Sequence, residues 1–211
     1  MPTMSRLVDD VAATVRSNAD ELTELDRAIG DGDHGANLRR GFDAVAELAP
    51  ELEAMPPGAA LQKAGMTLVM KVGGAAGPLY GSLLMGIGKS LAGGPHPDAP
   101  SLSEIADALE AGVDMVRKRG KSDAGEKTML DVLVPVCEAL RDGVSQSLPV
   151  PVLLGGLSDA AGRGLESTRA LQARKGRASF LGERSVGHLD PGARSSQLIV
   201  DSVCASLRGE T

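Results

Sequence analysis

The segment Leu25–Gly35, reading LDRAIGDGDHG, places three carboxylates, Asp26, Asp31 and Asp33, within eight residues, and His34 follows at once. Gly30, Gly32 and Gly35 interleave with them. Glycine lets the backbone turn tightly enough to aim several side chains at one point. Three carboxylates gathered in this way repel one another unless a cation sits between them, and such hard oxygen donors favour magnesium or calcium. The pattern is not the D-x-[DN]-x-[DN]-G calcium loop with its closing glutamate. Magnesium holding the phosphates of a nucleotide is the better reading, ahead of an ordinary Gly/Asp turn.

Four further segments carry residues of the same kind. His34-Gly35-Ala36-Asn37 opens a helix, and the free N–H groups of a helix N-terminus attract phosphate. His34 is read there as a nucleotide contact before a base or nucleophile. Gly73–Gly81, GGAAGPLYG, joins two helices with residues small enough for a ligand to approach backbone, or for a tight helix–helix turn. Gly120–Met129, GKSDAGEKTM, offers Lys127 as a phosphate neutraliser or an exposed loop lysine, and Met129 as a purine platform or plain core. Lys175–Gly192 offers Arg177 and Arg184, whose guanidinium forks match phosphate oxygens, and ends in the turn Asp190-Pro191-Gly192. Gly86-Ile87-Gly88-Lys89-Ser90 imitates the end of a P-loop, but position 83, where the first glycine belongs, is leucine. The run also sits in a helical pattern and follows no strand.

Composition narrows the rest. The 211 residues are 42% hydrophobic and only 1% aromatic, with no Trp, one Tyr and two Phe. Such a core is aliphatic and rich in small residues, which suits close helix contacts better than strands. The net charge of −6 and the lack of a basic, aromatic patch argue against nucleic acid. Cys137 and Cys204 stand alone on apolar helical stretches and read as buried free thiols. The N-terminus lacks a signal-peptide pattern and no apolar run is long enough to span a bilayer, so the expectation is a cytoplasmic protein with no membrane partner.

Eight helix-period segments must position these groups. The first carries Leu7, Val11, Val15 and Leu22. The second runs from Gly35 to Pro50, the third over about 58–72, and the fourth from Pro78 to about 92. The fifth starts at Ser101, with Glu104 at capping-box spacing. The sixth covers about 128–144, kinked or started late by Pro135. The last two cover about 152–173 and 193–207. Segments 23–35, 118–128 and 174–192 read as irregular, and the polar motifs fall in them.

LDRAIGDGDHGANLRRGF, GGAAGPLYG, GKSDAGEKTMLDVLVP and KGRASFLGERSVGHLDPGA, in this order over residues 25–195, resemble the L subunits of dihydroxyacetone kinase, which bind nucleotide and take part in phosphoryl transfer. The resemblance implies an all-α fold, an antiparallel barrel of eight amphipathic helices, forming one domain over residues 1–211 with the nucleotide at one end. It implies two magnesium ions on Asp26, Asp31 and Asp33, holding the phosphates of ADP or ATP. Nucleotide contacts are implied at His34, Gly35, Ala36 and Asn37, at Gly74, Ala75, Ala76 and Gly77, at Gly120 and Met129, and at Arg177, Asp190, Pro191 and Gly192. Arg177 is the candidate for stabilising the transferring group. Family members commonly carry serine where this chain has Ala76, so one hydroxyl is lost while the backbone N–H remains. The implied partners are a K subunit that holds dihydroxyacetone or another small ketose, and, where ADP is the retained cofactor, a phosphohistidine-carrying M subunit. A 211-residue chain leans toward that phosphotransferase-system branch. An ATP-dependent kinase subunit, a non-catalytic nucleotide-sensing module and homodimerisation stay open.

Overall fold

The computed structural model describes residues 2–210, and among them there is no strand. Ten α-helices form: α1 (Met4–Ser17), α2 (Ala19–Ile29), α3 (His34–Ala46), α4 (Ala49–Glu53), α5 (Pro57–Lys71), α6 (Ala76–Ala92), α7 (Leu102–Gly120), α8 (Leu130–Ser145), α9 (Val150–Ser167) and α10 (Pro191–Arg208). Two 3₁₀ stretches, Thr168–Ala170 and Arg177–Ser185, connect α9 to α10.

The periodicity locates the helices but merges some of them. The first segment breaks at Asn18, whose side chain donates to the Thr14 carbonyl at 2.8 Å and turns the chain from α1 into α2. The second breaks at Glu47 and Leu48 to give the short α4. Segment 23–35 is helical as far as Ile29, so Asp26 stands on α2 and only Asp31 and Asp33 belong to the turn. The seventh segment ends as α-helix at Ser167, not near residue 173. The capping box at Ser101 and Glu104 forms as its spacing predicts, with both reciprocal bonds present.

Successive packing partners run α1, α3, α5, α6, α7, α8, α9, α10 and back to α1, a closed ring of eight, with α2 laid across α3 and α10. Most of the core is aliphatic: Val15, Leu22, Leu38, Leu68, Val113 and Leu130 sit in one cluster, and Val132, Leu153 and Ala161 in a second. Glycines set the tightest approaches. A Cβ on Gly65 would come within 2.7 Å of the Gly81 carbonyl, and one on Gly81 within 2.7 Å of the Gly65 carbonyl. Gly58 and Gly88 make the same reciprocal contact, so α5 and α6 meet backbone to backbone. A Cβ on Gly86 would come within 2.7 Å of the Gly112 Cα of α7, and one on Gly112 within 2.8 Å of the Leu83 carbonyl of α6. The P-loop look-alike is therefore the packing face of α6, and its Lys89 points to solvent. Cys137 and Cys204 are buried and free. No helix among the described residues is long and apolar enough to cross a membrane.

Pro135 lies inside α8, which begins five residues before it. It cannot donate to the carbonyl of Asp131 one turn earlier. That carbonyl lies against Gly164 of α9, where a Cβ would come within 2.3 Å of it. Gly164→Ala is therefore expected to lower the unfolding free energy by about 1–3 kcal/mol, read as a fall in denaturant midpoint at constant slope. Gly155→Ala, one α9 position where a Cβ meets nothing within 4 Å, is the control and should not destabilise.

Candidate functional site

Asp26, Asp31 and Asp33 converge as their spacing predicts. One oxygen from each lies within 4.8 Å of the others. Asp26 is the buried anchor, and its Oδ2 accepts the N–H groups of Asp33 at 2.9 Å and His34 at 3.1 Å. This bond closes the turn that brings the two exposed aspartates over α2. Gly30 makes room for it: a Cβ there would fall 2.1 Å from Asp26 Oδ1. The donor set is all oxygen, two of its members open to solvent, which suits magnesium, an ion that keeps waters and phosphate oxygens in its shell. Arg177 reaches the same cluster, its Nε 3.0 Å from Asp31 Oδ2.

The cluster opens into a cleft of about 470 Å³. Its walls include His34, Asn37, Gly74, Ala75, Ala76, Gly120, Met129, Arg177, Asp190, Pro191 and Gly192, together with the three aspartates. Three helices, α3, α6 and α10, begin at its edge, so their positive N-terminal ends face one space. Gly35, Ala36 and Gly77 are not in the lining. Gly35 abuts the Ala19 carbonyl, where a Cβ would come within 1.9 Å, and Gly77 abuts the Val72 carbonyl. Their small size serves helix packing beneath the site. Ala36 and Arg184 are exposed outside the cleft. Met129 is a core residue that also forms part of the cleft wall.

The site also holds groups to which the sequence reading gave no role. Tyr80 of GGAAGPLYG is buried, and its hydroxyl shares hydrogen bonds with Ser195 at 2.7 Å and Ser196 at 2.9 Å. The Ser195 hydroxyl also lies 2.9 Å from His34 Nε2. This series of hydrogen bonds ties the aspartate turn to α6 and α10. Burial pulls the His34 imidazole below its ordinary pKa, against the raising effect of Asp26 and Asp33; because its Nε2 is engaged by Ser195, a packed hydrogen-bond partner fits it better than a free base. The serines are invisible in the sequence because they read as the polar face of an ordinary helix.

A DAK2 domain model matches residues 28–205. The chain belongs to the DAK2-domain family. It is 43% identical over 192 residues to the ADP-binding subunit DhaL of the PEP-dependent dihydroxyacetone kinase of Escherichia coli, covering 91% of this chain and 90% of that one. It is 44% identical over 194 residues to the corresponding subunit of kinase 1 of Listeria innocua, covering 92% and 90%. Among solved structures it is similar to the dihydroxyacetone kinase of C. freundii in complex with AMP-PNP and Mg²⁺, at 25% identity and a TM-score of 0.74. That match covers 96% of this chain but only 33% of the longer kinase chain. The expected resemblance to L subunits thus holds over most of the sequence.

In this DAK2-domain chain the turn at the start of α10 carries an unusual acid. The Asp190 carboxylate caps α10, accepting from the Ala193 N–H at 2.7 Å. Burial pushes its pKa up to about 7, against the lowering effect of the capping bonds. The folded state therefore holds this proton more tightly than the unfolded chain does. Stability from Asp190 is fully present below about pH 4, where the unfolded chain too is protonated, and is lost as pH rises to 7. Asp190→Asn keeps an acceptor for the cap and removes the proton. Denaturant midpoints between pH 4.5 and 7.5 should fall with pH more steeply in the wild type than in this variant.

Proposed function

We propose that the chain is the nucleotide-binding subunit of a dihydroxyacetone kinase. It passes a phosphoryl group from a magnesium-bound adenine nucleotide to a small ketose held on a separate K subunit. The observation that carries this reading is the convergence of three carboxylates and three helix N-termini on one cleft. Phosphoryl transfer depends on in-line positioning and on neutralising phosphate charge. Two magnesium ions on Asp26, Asp31 and Asp33 would supply that neutralisation. Asp26 orients the turn, the open N–H groups at the starts of α3 and α6 receive phosphate oxygens, and Arg177, already beside Asp31, offers its guanidinium to the transferring group. Gly74 to Ala76, Gly120, Met129 and Asp190 to Gly192 form the walls around the nucleotide.

Support for a separate sugar-holding partner comes from the relatives in Escherichia and Listeria, each named as a subunit of a dihydroxyacetone kinase. This chain matches a third of the C. freundii kinase, so the sugar site is assigned to what corresponds to the remainder. The names of the Escherichia and Listeria relatives, ADP-binding and PEP-dependent, support ADP as a retained cofactor recharged by a phosphohistidine-carrying M subunit. The proposed setting is the cytoplasm, with the whole chain acting as one domain.

Asp31→Ala is expected to abolish magnesium-dependent ADP binding in calorimetry while the far-ultraviolet circular dichroism stays that of the wild type. Undiminished affinity would falsify the metal assignment. Arg177→Ala should lower phosphoryl transfer to dihydroxyacetone, assayed with a K subunit, by about 10²-fold, and change the Mg-ADP dissociation constant far less. Equal losses in both would make the guanidinium a ground-state contact. Native mass spectrometry of the purified chain should show retained ADP with two magnesium ions, and an empty site that fills only with added ATP would favour the ATP-exchanging alternative.

A further inference from the structure

The loop between α7 and α8 holds a lysine buried as deeply as the core. Lys127 is 1% exposed. Its Nζ donates to the Thr168 carbonyl at 2.5 Å and to the His188 carbonyl. Asp190 and Asp131 act on it through space, and neither hydrogen-bonds it. An ammonium so enclosed is costly unless its donors are satisfied, and two of its three are taken by these carbonyls.

The backbone at Lys127 is also unusual. Its φ is +61°, a region that L side chains seldom adopt and that persists only where the surroundings over-determine it. Asp131 does part of this, accepting the Gly125 N–H at 2.5 Å and the Thr128 N–H at 2.7 Å. The Glu126 carbonyl adds a bond from the Arg174 N–H at 3.1 Å. The loop is therefore built to send this one side chain inward.

The two carbonyls show what it reaches. Thr168 follows the end of α9, and its hydroxyl accepts the Asp190 N–H at 3.1 Å. His188 lies two residues before Asp190. Lys127, itself part of the cleft lining, thus holds the wall Asp190–Gly192 by two routes, one through His188 and one through Thr168.

We infer that Lys127 is a positioning residue for the nucleotide: its ammonium pins the carbonyls of Thr168 and His188 and so fixes the Asp190–Gly192 wall, without touching the ligand. This rests on the nucleotide reading of the cleft. Arg177 pairs with Asp31, whereas Lys127 acts on the Asp190–Gly192 wall through backbone carbonyls.

Lys127→Met keeps the apolar stem and deletes every donor. Hydrogen exchange and Mg-ADP calorimetry on this variant and the wild type test the inference. Exchange should quicken in peptides covering residues 168–174 and 186–193, stay unchanged in α3, α5 and α6, and accompany about 10-fold weaker Mg-ADP binding. Weaker binding with wild-type exchange would make Lys127 a direct ligand and overturn the inference, as would unchanged affinity. Faster exchange throughout the helices would make it a core residue only and would overturn the inference equally. Should Lys127→Met not fold, Thr168→Val keeps the lysine–carbonyl bond and removes the hydroxyl that holds the Asp190 amide. It must then speed exchange around residue 190 and weaken Mg-ADP binding several-fold, and wild-type behaviour in both overturns the inference. A wild-type chain that binds no Mg-ADP would bring down the nucleotide reading and this inference together, whereas binding that Lys127→Met leaves intact brings down the inference alone.

Discussion

Like charges held close together are the constraint around which this molecule is arranged. Three carboxylates approach within 4.8 Å of one another, a separation at which each pair repels by about 1–4 kcal/mol, depending on how much water screens it. Arg177 relieves only Asp31. The arrangement survives because Asp26 spends one oxygen on two backbone N–H groups and because Gly30 leaves its other oxygen space. Those bonds fix the exit of α2 and the entry of α3 at once. Under the proposed reading, this turn holds its acids together to receive a cation.

Everything beneath the turn serves to keep it in register with the other loops. The glycine contacts draw α5, α6 and α7 together at backbone distance, which sets where the loop before α6 ends. The chain from His34 through Ser195 to Tyr80 binds that end to α3 and α10. A small cluster of Ile29, Ala173 and Ala178, with Leu181 against it, ties the end of α2 to the stretch bearing Arg177. The aromatic-poor composition thus has a structural meaning: small residues permit close approach, and close approach lets loops far apart in sequence share one cleft.

The helices and the acid cluster were legible in the sequence because each rests on local pattern. Apolar residues at helical spacing mark α5 through α10, and the run of Asp and Gly marks the turn. What escaped was set by tertiary contact. Asn18 divides α1 from α2 through a bond to Thr14 that a continuous apolar stripe conceals. Pro135 neither delays the start of α8 nor ends it, since the orphaned carbonyl finds room beside Gly164, on another helix. Gly35 and Gly77 share motifs with cleft residues, yet face helix backbones rather than the cleft. Lys127 could be read as a phosphate or solvent lysine, because nothing in its neighbours announces that the carbonyls of Thr168 and His188, about 40 and 60 residues away, wait to receive it.

Ala76 shows how such a site redistributes its work. It lines the cleft as the first residue of α6, where L subunits commonly offer a serine hydroxyl. A hydroxyl at that place adds one hydrogen bond to an anion. The first-turn N–H groups of the helix lack intrahelical partners whatever the side chain, so the α6 end keeps its backbone donors and its share of the dipole. Under the proposed reading the phosphates therefore lean more heavily on the aspartate-held cations and on the end of α3. Those are the elements that Asp26 and Ser195 lock by hydrogen bonds. With that hydroxyl gone, the rigidity of those locks weighs more in holding the nucleotide.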